Sequence, residues 1–239
     1  PLHNPANLIG IRACQELMPG VPQVAVFDTA FHQTMPDYAY TYGIPYEYYE
    51  KYKVRRYGFH GTSHRYITLR TAAVLGKKPE ELKIVTCHLG NGSSVAAVDH
   101  GKCLDTSMGL TPLEGIIMGT RCGSIDPAII PLLMEKEHLS PKEIDTIMNK
   151  KSGILGVSQT TSDNRDIENG AKAGNKRYQL IESMLCHQLT KLIGGYAAAM
   201  GGVDAVAFAG GIGENNPHYR TRVADKLAFL GCKIDEEKN

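Results

Sequence analysis

Two apolar, strand-sized runs in this chain end in glycine. "KIVTCHLG" passes into the turn "HLGNGSS" (88 to 94), and "VDAVAFAGG" passes into "AGGIGEN" (209 to 215) and then a helical pattern. Such turns present clustered backbone N–H groups with no side chain in the way, the arrangement that cradles phosphate oxygens. One alone reads as an ordinary tight turn. Two in one chain point to a nucleotide. No G-x-x-x-x-G-K-[ST] occurs, and "GGIGEN" is neither a full G-x-G-x-x-G nor followed by a strand with an acidic end. The class in question must therefore grip phosphate with separated turns.

The pattern around these runs is α/β. "KIVTCHLG", "SSVAAVDHG" and "KCLDTSM" suggest an antiparallel meander. "TSHRYITLRTAAVLGKKPEEL" reads as a helix that Thr62 or Ser63 can cap and Gly76 can end. Asp126 as N-cap with Pro127 at the first helical position predicts another, and Ser140 with Glu143 has capping-box spacing. The longest helical pattern spans 175 to 200, with Ile181, Met184, Leu185, Leu189, Leu192, Ile193 and Tyr196 on one face and Gly201-Gly202 at its end. Upstream, "ANLIGIRACQELM" is helix-like and "QVAVF" reads as a short strand ending at Asp28. Seven tyrosines in residues 35 to 53 make a Pro- and Gly-broken covering or interface segment.

Composition narrows the partners. The 239 residues carry 26 Lys plus Arg against 25 Asp plus Glu, a net charge of +1 with no basic block, so nucleic acid is not expected. Six scattered cysteines without a CxxC pair fit reduced thiols in a cytosolic protein, and no signal peptide or apolar run of membrane-spanning length is present. The chain opens on Pro1 and stops in "KIDEEKN", ends that read as cuts in a longer protein.

Several side chains could carry chemistry. Arg121 in "MGTRCGSIDP" sits between Gly119 and Gly123, which favours a positioned anion ligand over a solvated charge. Asp28 is either a helix cap or a magnesium-linked or acid-base carboxylate; spacing does not choose. "SDNRDIE" (162 to 168) reads as a polar surface turn. In "YGFHGTSH", His60 and His64 stand four apart, a metal-like spacing without a third ligand type to accompany it. His60 falls before the helix, where it can meet an anion, and His64 falls a turn inside it as support.

"PLHNPAN", "VFDTAFHQTMP", "YGFHGTSH", "HLGNGSS", "TPLEGIIMGTRCGSIDP", "NKKSG" and "AGGIGEN" together resemble the successive signatures of the acetate kinase (acetokinase) family, within the actin-like, sugar-kinase and Hsp70 superfamily. The resemblance implies an RNase H-like domain with a mixed sheet flanked by helices at 32 to 239, and at 1 to 31 the remnant of a second similar domain. It implies reversible phosphoryl transfer between ATP and acetate, giving acetyl phosphate and ADP with Mg2+ or Mn2+, by a cytoplasmic homodimer that engages neither nucleic acid nor membrane. Position by position, His60 and Arg121 are similar to the family's transition-state stabilisers and Asp28 to its active-site carboxylate. His88, Leu89, Gly90, Asn91 and Gly92 match ATP-binding positions, as do Asp163, Asn164 and Arg165, and Gly211, Ile212, Gly213, Glu214 and Asn215. Leu2, His3, Phe59 and Pro112 match the small-acid pocket. The family's first phosphate turn, its carboxylate-binding arginine and its metal-associated glutamate have no counterpart here, so the chain is expected to lack the N-terminal third and the C-terminal end, and to have little activity alone. The alternatives are a propionate or butyrate kinase of the same family, or a non-catalytic ATP-binding module.

Overall fold

The computed structural model describes residues 4–239; Leu2 and His3 of the expected acid pocket lie outside the described residues. Four strands form one sheet: β1 (Lys83–Leu89), β2 (Ser93–Asp99), β3 (Lys102–Thr106) and β4 (Ala205–Ala209), in the order β3-β2-β1-β4. The meander is antiparallel as expected, with a register shift at Ala97/Val98, while β1 and β4 pair in parallel. His88 at the end of β1 therefore stands beside Ala209 at the end of β4. Both glycine-rich stretches leave the sheet at the same end, the carboxyl ends of parallel strands, where α/β folds gather ligands; the first is a turn as expected, while the second is the short helix Gly210–Asn215 in place of the expected turn.

Both faces of the sheet are covered. Val85, Cys87 and Leu89 of β1 and Val95 and Ala97 of β2 pack with Ile181, Leu185, Leu189 and Ile193 of the helix Lys176–Ala199, which Asn175 caps through the N–H groups of Arg177 and Tyr178. Fully burying each such branched side chain contributes roughly 1.5–3 kcal/mol. On the other face Ile84 and Val98 pack against Ala72 of the helix Gly61–Val74. Pairing places Ile84 opposite Val98, Thr86 opposite Ala96 and His88 opposite Ser94. Because alternate residues share a face, this face changes from apolar to polar as it approaches the glycine-rich stretches.

Helix ends follow local chemistry, with corrections. Ser140 accepts from the Glu143 N–H and Glu143 reaches back to the Ser140 N–H, completing the expected capping box of Pro141–Lys150. Neither Thr62 nor Ser63 caps the helix at 61–74. It begins one residue earlier, after a left-handed His60 (φ 57°), because Asp28 supplies the acceptors for its first N–H groups. Gly76, left-handed at φ 64°, follows its last turn as expected. Asp126 caps only a turn, accepting from Ala128 N–H, and the helix proper runs Ile129–Glu137.

The segment before Asp28 behaves differently. Asn4–Leu17 is helical as expected but buries none of its residues. "QVAVF" is not a strand: Val24 is 84% exposed and Val26 75%, since no edge of the four-stranded sheet lies alongside to complete a ladder. Among the described residues, no helix is long and apolar enough to cross a membrane.

Candidate active site

The site is built where the polar face of the sheet meets the start of the Gly61–Val74 helix. "YGFHG" is bent into place by two glycines. A Cβ at Gly58 (φ 74°) would lie 2.8 Å from the His32 ring, and one at Gly61 2.3 Å from the Asp28 carbonyl oxygen, so no larger residue fits either position. Asp28 then clamps the turn: its Oδ2 accepts the His60 N–H at 2.7 Å and its carbonyl accepts the Gly61 N–H at 2.8 Å. That pair holds His60 in a backbone conformation that otherwise costs about 1 kcal/mol or more.

Four imidazoles line the inner wall. His60 Nδ1 is 2.8 Å from Ser94 Oγ, and His64 Nε2 meets the same oxygen at 2.8 Å. His64 Nδ1 lies 2.7 Å from Thr86 Oγ1, and His88 Nδ1 2.7 Å from Ser63 Oγ. His32 sits behind, with Nε2 on the Phe59 carbonyl at 2.8 Å. The His60 and His88 rings are 4.2 Å apart between centroids. Burial, then the neighbouring His88, pulls His60 down to about 4, so its ring is neutral at physiological pH. Burial also lowers His32, His64 and His88. Three rings, His60, His64 and His88, thus have Nδ1 tied to a hydroxyl.

Arg121 approaches from the opposite side. Its loop is folded back on itself, with Met118 N–H donating to the Arg121 carbonyl and Ile154 N–H to the Met118 carbonyl. Gly153 (φ 62°) makes this possible, as a Cβ there would stand 2.5 Å from the Arg121 carbonyl oxygen. Arg121 Nη1 donates to the Pro112 carbonyl at 3.1 Å, and among the described residues no carboxylate pairs with the guanidinium. Burial draws its pKa downward.

These groups converge on one point. A Cβ placed on Gly92 would be 3.3 Å from Arg121 Nη1 and 3.3 Å from His60 Nε2. The bare glycine lets a fixed cation and a neutral imidazole approach one point together, the pairing that meets an anion. The expected nucleotide turns adjoin it. Gly119 N–H donates to the Asn91 carbonyl, and a Cβ on Gly119 would be 3.7 Å from Asn91 Oδ1 and 3.6 Å from the Ser162 carbonyl oxygen. Gly210 (φ 77°) is pressed against Leu89, and Gly213 faces the Leu89 side chain. Arg220 secures this short helix by donating to the Gly213 and Glu214 carbonyls, and Asn215 Nδ2 donates to the Gly211 carbonyl.

Other expected residues have other partners. Asn164 is turned inward, its Oδ1 accepting from the Tyr219 hydroxyl at 2.9 Å, which fixes the side chain in place. Asp163 caps the helix Asn164–Lys172 and pairs with Arg165, which holds its carboxyl down near 2. "SDNRDIE" is thus the capped start of a helix in place of a surface loop. Phe59 and Pro112 flank His60 and Arg121 respectively, by chain and by hydrogen bond. Sequence reasoning missed Thr86, Ser94 and Ser63. The period-two alternation of β1 and the β1–β2 pairing were the signal that would have placed the first two beside His64.

A model of the acetokinase family matches residues 1–239. Over the whole chain the sequence is 63% identical to the acetate kinase of Thermoanaerobacterium thermosaccharolyticum and 60% to that of Methanosarcina acetivorans, covering 60% and 59% of those proteins. Among solved structures, all of this chain superposes on 60% of Porphyromonas gingivalis acetate kinase, with 50% identity and a TM-score of 0.95. It likewise superposes on 61% of a propionate kinase from Francisella tularensis, with 46% identity and a TM-score of 0.95. The chain therefore spans about 60% of the length of these relatives, and, with its mixed sheet, its paired glycine-rich stretches and its full-length family match, it belongs to the acetokinase family.

Proposed function

We propose that the protein carrying this chain transfers a phosphoryl group reversibly between ATP and acetate. The observation that carries this reading is the approach of His60 Nε2 and Arg121 Nη1 to a common point over Gly92, at the mouth of two glycine-rich stretches. Phosphoryl transfer passes through a loose transition state with charge on three equatorial oxygens, so its catalyst needs fixed donors more than it needs a base. Acetate is already ionised at neutral pH and attacks without help. Arg121 supplies a permanent charge in a fork geometry, and His60 a ring nitrogen at the edge of a partly desolvated wall.

In this reading His88 to Gly92, Asp163 to Arg165 and Gly211 to Asn215 receive ATP, the middle stretch through backbone and Arg165. Asp28 is a positioning residue, supported by its grip on the His60 N–H. Phe59 and Pro112, with Leu2 and His3, border the acid. Among the described residues no three His, Cys, Asp or Glu side chains are grouped as metal ligands; magnesium belongs in this account with the nucleotide, and no step is routed through it. We further place the division between two RNase H-like domains near residue 31, and take the protein as a cytoplasmic homodimer.

The test is kcat/KM of the full-length protein for formate, acetate, propionate and butyrate with ATP. Acetate is expected to lead. One methylene shifts binding by only roughly 1–3 kcal/mol, so a lead for propionate would move the protein to the chemistry in the name of its Francisella neighbour. Nucleotide binding with no acyl phosphate from any acid would sink the reading.

A further inference from the structure

We propose that Thr86 decides which nitrogen of His60 carries its proton, through a buried hydrogen-bond chain from Thr86 to His64 to Ser94 to His60, and so leaves an N–H facing the reacting group.

Ser94 Oγ is buried and lies 2.8 Å from His60 Nδ1 and 2.8 Å from His64 Nε2, its partners among the described residues. Ser94 has one proton and two lone pairs, and were it to accept from both rings its own buried proton would have no acceptor, so it donates to one ring and accepts from the other. Burial keeps both rings neutral, with one N–H each. Only two patterns satisfy every atom. In the first, Thr86 donates to His64 Nδ1, His64 Nε2–H donates to Ser94, Ser94 donates to His60 Nδ1, and the His60 proton sits on Nε2. In the second every bond is reversed, and His60 presents a lone pair at Nε2 toward Arg121 and Gly92.

The far end of the chain chooses between them. Thr86 Oγ1 is 2.7 Å from His64 Nδ1 but 3.5 Å from the Ala96 carbonyl, the other acceptor for its proton. The second pattern moves that proton into a contact at the edge of hydrogen bonding, while the first leaves it in a short, good one. The backbones that carry the two rings are held in place. Thr68 Oγ1 donates to the His64 carbonyl at 2.8 Å, and Asp28 holds the His60 backbone. Thr86, which touches no substrate in any version of this site, is thereby a positioning residue acting through two others. Its catalytic consequence rests on the phosphoryl-transfer reading, since a lone pair at Nε2 would repel the oxygens that an N–H would stabilise.

The direct test is neutron diffraction from crystals of the full-length protein near pH 7. Deuterium on Nε2 of both His60 and His64 is expected; deuterium on Nδ1 of both would overturn the proposal. The variant Thr86→Val keeps the volume and removes the donor. It is expected to populate both His60 tautomers in 15N spectra of histidine-labelled protein, a roughly fivefold change in their ratio for one net hydrogen bond. kcat should fall, by no more than that fivefold, with KM for ATP unchanged, and Thr86→Ser should restore both. A single Nε2–H tautomer persisting in Thr86→Val would overturn it. Should Thr86→Val fail to fold, the wild-type neutron map decides alone. A wild-type protein with the expected protons but no phosphoryl transfer would support the chain and sink the functional reading.

Discussion

Val24 and Val85 occupy similar runs, "QVAVF" and "KIVTC", yet Val85 is fully buried and Val24 is 84% exposed. Alternation and β-branching make a run fit for a sheet; neighbours on both sides make it a strand. β1 has β2 and β4 beside it and helices over both faces, whereas residues 18–27 have no ladder among the described residues. Asp28 marks the change, the point where the chain is tied to the sheet body through His60 and Gly61. Every group that converges over Gly92 lies on the packed side of that joint.

Stability measurements can break or sharpen this contrast. Ile181→Ala opens a cavity between the long helix and the sheet and should cost about 2–5 kcal/mol in urea unfolding. Acid should come next. His60 binds its proton less readily folded, at about 4 against 6.5, so the unfolded chain protonates first as pH falls. Stability should therefore be unaffected by this group above pH 6.5 and decline between 6.5 and 4, by roughly 3 kcal/mol from His60 alone. Burial pushes His64, His32 and His88 the same way, so a urea midpoint independent of pH across that window would contradict the neutral histidine wall. Ser140→Ala removes one half of the capping box and should cost about 1 kcal/mol. Val24→Ser should change the stability of these 239 residues by less than about 0.5 kcal/mol. A loss as large as that of Ile181→Ala would mean that residues 18–27 are packed after all.

What could be read in advance divides along similar lines. The capping box, the buried face of the long helix and the first glycine turn were legible because each depends on residues close in sequence, whereas "GGIGEN", read as a turn, is a short helix. The shared location of those two glycine-rich stretches needed the parallel pairing of β1 with β4, a contact across more than a hundred residues. Asp28 could not be assigned from spacing, since its partner is the backbone of His60, and Thr62 and Ser63 lost the cap to it for the same reason. Asn164 read as a polar turn residue until Tyr219 supplied a buried hydroxyl. Thr86 and Ser94 carry no motif; they matter because strand register sets them against a helix that begins at His60.

The central claim is that His60 and Arg121 hold charge that exists only as the phosphoryl group moves. Steady-state kinetics of Arg121→Ala and His60→Ala in the full-length protein test it most directly. Removing a donor of this kind typically costs about 10²–10³ in kcat, so kcat is predicted to fall by at least that much, with KM for ATP and acetate within about threefold. A large rise in KM with kcat unchanged would mean that the two side chains bind ground-state substrate only, and would contradict the account.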